Sequence, residues 1–195
     1  MKVVLATKNK GKLKEFLFLT KNCDIELTSL PQGSISPEES GISFYENALI
    51  KAESALLETG ITALADDSGL EVDFLNGQPG IYSSRFSSEA TDEANNQKLL
   101  DLMEGVKEED RTARFKCCLV LLKKNKKPVV SEGSLEGRIS IKRSGENGFG
   151  YDPIFFIPEI GLHLAEMNKK EKSAISHRSN AWKELIKKLG YSFEH

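Results

Sequence analysis

Four short stretches carry the residue types from which phosphate chemistry is built. The first, Thr7-Lys8-Asn9-Lys10-Gly11-Lys12-Leu13-Lys14, holds four lysines in seven residues and follows the apolar run Val3–Ala6. A strand that ends where a helix begins offers free N–H groups and a positive dipole end to an anion. A Walker A loop shares that topology but needs Gly where Ala6 stands and Ser or Thr where Leu13 stands, so a P-loop is excluded. Two readings stand for the lysines, a phosphate cradle or a solvated helix face. Lys8 and Lys12 fall on one helical face and Lys10 and Lys14 on another, so only part of the set can converge on one ligand.

The second stretch is acidic and comes in two parts, Glu38-Glu39 and Asp66-Asp67-Ser68-Gly69. Carboxylates closing an apolar strand suit Mg²⁺, which takes one or two protein oxygens and completes its shell with water and substrate phosphate. Neighbours on an extended segment face opposite ways, so one of Asp66 and Asp67 enters a given cleft, and periodicity does not say which. The competing reading is an Asp-rich turn bonded to its own backbone. The third stretch, Gly145-Glu146-Asn147-Gly148-Phe149-Gly150-Tyr151-Asp152-Pro153, combines backbone freedom with two aromatic faces on which a base could stack, or else forms a hairpin tip over a core. The fourth, Lys172-Ser173-Ala174-Ile175-Ser176-His177-Arg178, sets cations in the first turn of a helix capped by Ser176, against the dipole preference for acids there.

Composition narrows what these stretches can serve. The chain has 195 residues, 39% hydrophobic and 29% charged, with 27 Lys+Arg against 29 Asp+Glu for a net charge of −2. That size predicts one domain, or one domain in two lobes, with a core that needs no staples. The near-neutral balance argues against a protein that grips duplex nucleic acid. No apolar run reaches the roughly 18–20 residues of a membrane span. MKVVLATKNK has too short an apolar stretch for a signal peptide, so a soluble intracellular protein is expected. Cys23 is isolated, and adjacent Cys117 and Cys118 point to opposite faces of a strand, which predicts neither disulfides nor a zinc site. His163, His177 and His195 have no metal-ligand spacing.

The elements that must position these residues alternate between the two periods. Strands are expected at Lys2–Ala6, Ile25–Thr28, Ile61–Ala65, Ala113–Leu122, Val129–Gly133 and Leu135–Lys142, the last three forming an antiparallel section. Helices are expected after Asn9 as N-cap, after a capping box of Ser43 and Glu46, after Thr91, and from Ser176 to Gly190. Phe44, Ala48, Ala52, Ala55 and Leu56 share one face of the second helix, while Leu99, Leu100 and Met103 are buried by the third. The pattern predicts an α/β protein on a mixed sheet.

In combination the stretches are far more specific. Read in order, T-x-N-x-G-K, E-x-G, A-D-D-S-G-L, G-F-G-Y-D-P and K-S-A-I-S-H-R closely resemble the inosine triphosphate pyrophosphatase family from Met1 to the final helix. The resemblance implies a long mixed sheet with helices on both sides, forming two lobes of one domain (residues 1–195) around a central cleft, in a cytoplasmic homodimer. It implies Mg²⁺-dependent hydrolysis of ITP, dITP and XTP at the α–β anhydride, giving a monophosphate and pyrophosphate. Carried over by motif, Thr7, Lys8, Asn9, Lys10, Gly11 and Lys12 bind the triphosphate, with Lys8 standing where the family often has a small residue. Asp67 becomes the catalytic carboxylate and shares the metal with Glu39, with Ser68 beside the substrate. Phe149, Gly150, Tyr151, Asp152, Lys172, His177 and Arg178 match the nucleoside-binding positions. A Maf-like pyrophosphatase, a non-hydrolysing nucleotide sensor and a nucleic-acid module are the competing readings. The last of these has only the Lys8–Lys14 cluster behind it.

Overall fold

Seven strands run in the order β2-β1-β3-β4-β5-β6-β7 in the computed structural model, which describes residues 1–21 and 23–191. His195 lies outside the described residues. The strands are β1 (Lys2–Leu5), β2 (Glu26–Ser29), β3 (Ala63–Val72), β4 (Thr112–Leu122), β5 (Val129–Ile139), β6 (Phe155–Ile157) and β7 (Leu162–His163). The helices are α1 (Lys10–Leu19), α2 (Phe44–Thr59), α3 (Asp92–Leu102), α4 (Lys169–Ile175) and α5 (His177–Lys188). β1 is parallel to β2 and β3, whereas β5, β6 and β7 pair antiparallel, so the sheet is mixed as expected. The described residues form two compact units, one within 1–67, 117–133 and 178–191, the other of residues 68–116 and 134–177.

Local chemistry starts and stops the helices. Asn9 caps α1 by accepting from the Gly11 and Lys12 amides, Ser43 caps α2 through the Glu46 amide, and Thr91 caps α3 through the Ala94 amide. Glu46 does not close the expected box on Ser43; its carboxylate takes the Ile42 N–H at 2.8 Å instead, one residue further out. Gly60 ends α2 in the left-handed conformation.

In the first unit the period of two divides the core into two layers. Val3 and Leu5 of β1, Leu64 of β3 and Cys117, Leu119 and Leu121 of β4 pack against Phe16 of α1 and Ala181, Trp182 and Leu185 of α5. Val4, Ala6, Ala63, Ala65, Cys118 and Val120 point the other way, against Ala48, Ala52 and Ala55 of α2. Cys117 and Cys118 thus lie on opposite faces, as predicted. In the second unit Leu70, Val72, Ala113, Phe115, Ile139 and Phe155 pack with Leu99 and Met103 of α3, with Leu100 at the margin.

Three expectations need correction. β3 does not stop at Ala65: it runs through Asp66-Asp67-Ser68-Gly69 to Val72, so the doublet is neither a turn nor a strand terminus. Both carboxylates have cationic partners, which removes the cost that would otherwise break a buried strand there. β5 is one continuous strand where two were expected, since neither Gly133 nor Ser134 interrupts pairing. The short elements α4, β6 and β7 are additional.

Candidate active site

The parity of β3 decides what each aspartate meets. Asp66 shares the face of Leu64, which packs on α1 and α5; Asp67 shares the face of Ala65, which packs on α2. Accordingly Asp66 ion-pairs with Lys12 of α1 and has Arg178 Nε of α5 at 3.3 Å, a charge contact rather than an aligned hydrogen bond. Asp67 takes a 2.6 Å bond from Lys51 of α2. The register Leu5↔Leu64 sets both aspartates beyond the last residue of parallel neighbour β1, the strand end at which α/β sheets receive ligands.

Lys51 is the residue that the sequence reading missed. Its Nζ also bonds Glu39 Oε1 at 3.0 Å, so carboxylates 28 positions apart converge on one cation. The available signal was its spacing from Asn47, i to i+4 along α2, beside the alanine stripe. Asn47 is wholly buried, and its Oδ1 accepts the Gly41 N–H at 2.9 Å. Gly41 has to be glycine there, because a Cβ would stand 2.6 Å from Glu46 Cβ and 2.7 Å from Asn47 Oδ1. This close approach holds the Glu39-Ser40-Gly41 segment against α2.

Charge is distributed unequally over the doublet. Burial pushes Asp66 up, but Lys12, Arg178 and Lys51 together outweigh it and hold the carboxyl well below the usual range. For Asp67 burial prevails over Lys51 and Lys12, and the carboxyl is raised. Lys51 loses to burial but gains more from Asp67, Asp66 and Glu39, so its ammonium is firmly charged.

Glu39 and Asp67 fit a hard divalent cation. They already aim one oxygen each at a single positive group, and Mg²⁺ asks for no more than one or two protein carboxylates. Among the described residues no group of three or more His, Cys, Asp and Glu is arranged to hold a metal ion.

The lysine-bearing loop is more self-engaged than expected. Thr7 Oγ1 accepts the Asn9 N–H at 3.1 Å, and Asn9 Oδ1 takes the Gly11 and Lys12 amides at 2.8 and 3.0 Å. Two of the amides at the start of α1 are therefore occupied by the cap itself. Lys8 and Lys10 are exposed, whereas Lys12 is turned onto Asp66, on the opposite face of β3 from Asp67. Asp67 nevertheless feels the charge of Lys12. Ser68 follows Asp67 on β3 and is half-buried.

In the second unit the glycine-rich stretch winds around a buried ion pair. Lys172 of α4 donates to Asp152 Oδ2 at 2.6 Å, and the same oxygen accepts the Phe149 N–H at 2.9 Å. Gly148, at φ +82°, leaves room for the Asp152 carboxylate, which a Cβ would strike. Gly150 is pinned through both backbone groups: Asp92 Oδ2 accepts its N–H at 2.7 Å and Asn96 Nδ2 donates to its carbonyl at 2.8 Å. Of the two aromatic faces, Tyr151 lies in the core with its hydroxyl donating to Ser83 O at 2.8 Å, and Phe149 is half-exposed with Lys172 Nζ 5.0 Å from its ring centroid. His177 is buried and stacks on Phe115 at 4.7 Å between centroids.

Known proteins resemble this chain in sequence and fold. The profile of the Ham1 family matches residues 3–188. A dITP/XTP pyrophosphatase of Vibrio parahaemolyticus is 50% identical over 192 residues, 96% of each chain. One from Desulforamulus reducens is 48% identical over 198 residues, covering all of this chain and 98% of its own. The solved HAM1 protein of Coxiella burnetii superposes with a TM-score of 0.88 at 40% identity, over 97% of this chain and 98% of that one. With the mixed α/β sheet, the E-x-G and A-D-D-S-G motifs and full-length relatives in agreement, the chain belongs to the Ham1 family.

Proposed function

We propose that the protein is a nucleoside triphosphate pyrophosphohydrolase that clears ITP, dITP and XTP from the nucleotide pool, cleaving the α–β anhydride to give a monophosphate and pyrophosphate. The observation that carries the reading is the Lys51 ammonium bonded to both Glu39 and Asp67, which gathers a base and a cation-binding pair beyond the end of β1. The names of the full-length relatives support the substrate class.

Asp67 is the general base. Its buried carboxylate, raised in pKa yet held by Lys51, orients a water, accepts its proton and directs the hydroxide at the α-phosphorus. The new P–O bond forms as the α–β bridge breaks, and the electron pair leaves on pyrophosphate. Lys51 and Lys12 stabilise negative charge on the phosphates. Thr7, Lys8, Asn9, Lys10 and Gly11 form the polyphosphate loop with Lys12. Glu39 and Asp67 would hold Mg²⁺, which when bound neutralises phosphate charge and polarises the phosphoryl group. Such chemistry needs little covalent work from the protein.

Phe149, Gly150, Tyr151, Asp152, Lys172, His177 and Arg178 serve the nucleoside, with Ser68 beside the phosphates. Hypoxanthine and xanthine present a 6-oxo acceptor to donors such as His177 and Arg178, whereas adenine presents a donor and leaves them unmatched, a costly mismatch in a buried site. A homodimer in the cytoplasm without nucleic-acid partners completes the proposal. No described helix is long and apolar enough to cross a membrane. Pyrophosphate release from a panel of purine triphosphates with Mg²⁺ tests the reading. Turnover of ITP, dITP and XTP far above ATP and GTP is expected, and pyrophosphate from none of the three would reject it.

A further inference from the structure

Asp66 has no part in the reaction as written, yet its side chain is entirely shielded from solvent. A buried carboxylate without partners is strongly disfavoured, and here cationic or polar groups from three elements meet it. Lys12 of α1 ion-pairs with Oδ1, Arg178 of α5 approaches Oδ2 at 3.3 Å, and the Cys117 thiol of β4 donates to Oδ2 at 3.1 Å. Arg178 in turn donates from Nη1 to Glu15 Oε2 of α1 at 2.9 Å. Lys12 and Glu15 stand three residues apart, on neighbouring turns of one helix face. One carboxylate therefore clamps two cations, and one of those cations is clamped a second time.

We propose that Asp66 is a positioning residue: it aims Lys12 at the polyphosphate and, jointly with Glu15, aims Arg178 at the 6-oxo group of the base. The proposal rests on the substrate reading above. Long cationic side chains normally lose conformational freedom when they engage a ligand; here that loss is taken during folding, so the ligand meets them already fixed. Phosphate grip and base choice then depend on the same buried charge.

Asp66→Asn keeps the shape and removes the charge. Its kcat/KM for ITP is expected to fall about 100-fold, and its preference for ITP over ATP about tenfold, the scale of charge-assisted hydrogen bonds. Glu15→Gln, at a partly exposed position, loosens Arg178 alone; the ITP-over-ATP preference drops about fivefold, with kcat on ITP changed far less. A merely structural role would lower thermal stability or the active fraction and leave the preference unmoved. An unchanged preference in either folded variant overturns the proposal, as does a loss of kcat in Glu15→Gln equal to that in Asp66→Asn. If Asp66→Asn does not fold, Glu15→Gln decides alone. Failure of the unmodified protein to release pyrophosphate from ITP rejects the substrate reading. Normal hydrolysis with unmoved preferences leaves that reading standing and removes only this one.

Discussion

Asp66 and Asp67 are consecutive on β3, yet each is held by a lysine from a different helix, Lys12 of α1 on the first and Lys51 of α2 on the second. The alternation of a strand produces that division directly, since Leu64 and Ala65 already face the two helical layers. The outcome is a pair of identical side chains with opposite electrostatics, one held well below the usual carboxylate range by its cations and one raised above the ordinary aspartate value by burial.

The raised carboxylate is assigned the proton. Asp67→Asn is expected to lower kcat about 10²–10⁴-fold, the usual worth of a general base, with KM within about threefold. Steady-state kinetics on ITP measures both, and an unchanged kcat would remove the role.

Lys51→Met tests the cation that joins Glu39 to Asp67. Removing one member of a largely buried pair strands the other, a loss of about 3–5 kcal/mol in the buried limit and less here because Glu39 is partly exposed. Urea unfolding should show that loss shrinking when Asp67→Asn is added, because the stranded charge is then gone. Simple additivity of the two changes would show that the contact carries no coupling.

Gly41→Ala should act at a distance from the reacting atoms. The added Cβ meets Glu46 and Asn47, so the segment bearing Glu39 has to move off α2. Stability should fall by about 1–3 kcal/mol, as in other overpacked sites. Divalent-ion binding, followed with Mn²⁺ by electron paramagnetic resonance, should weaken in parallel.

The second unit has its own pH signature. Glu166 accepts from the His163 backbone N–H and the Ser144 hydroxyl, with His163 Nδ1 at 2.9 Å, and its carboxyl is lowered to about 2 from 4.5. A depressed carboxylate stabilises the folded state above its unfolded pKa and loses that contribution as pH falls toward its folded one. Glu166→Gln should therefore be less stable than the parent at pH 7, with the gap closing between about pH 4.5 and 2. A gap that stays constant across that window would contradict the assignment.

Features set by neighbours in the chain were legible from residue order alone. Asn9, Ser43, Thr91 and Gly60 cap helices through bonds within four residues, and the parity of Cys117 and Cys118 follows from the strand itself. The continuation of β3 through two aspartates was not legible, because the charges that make it tolerable come from Lys12 and Lys51, far off in sequence. Lys51 escaped notice for the matching reason: a lysine on an amphipathic helix reads as solvent-facing until its carboxylates are in place. β6 and β7, three and two residues long, are too short to show a period and depend on pairing, β6 with β5 and β7 with β6.

Hydrolysis of ITP in ¹⁸O-labelled water, with both products analysed by mass spectrometry, tests the central claim most directly. Attack by an Asp67-oriented water at the α-phosphorus places the label in inosine monophosphate and leaves pyrophosphate unlabelled. Label in pyrophosphate, or release of orthophosphate in its place, would contradict the account.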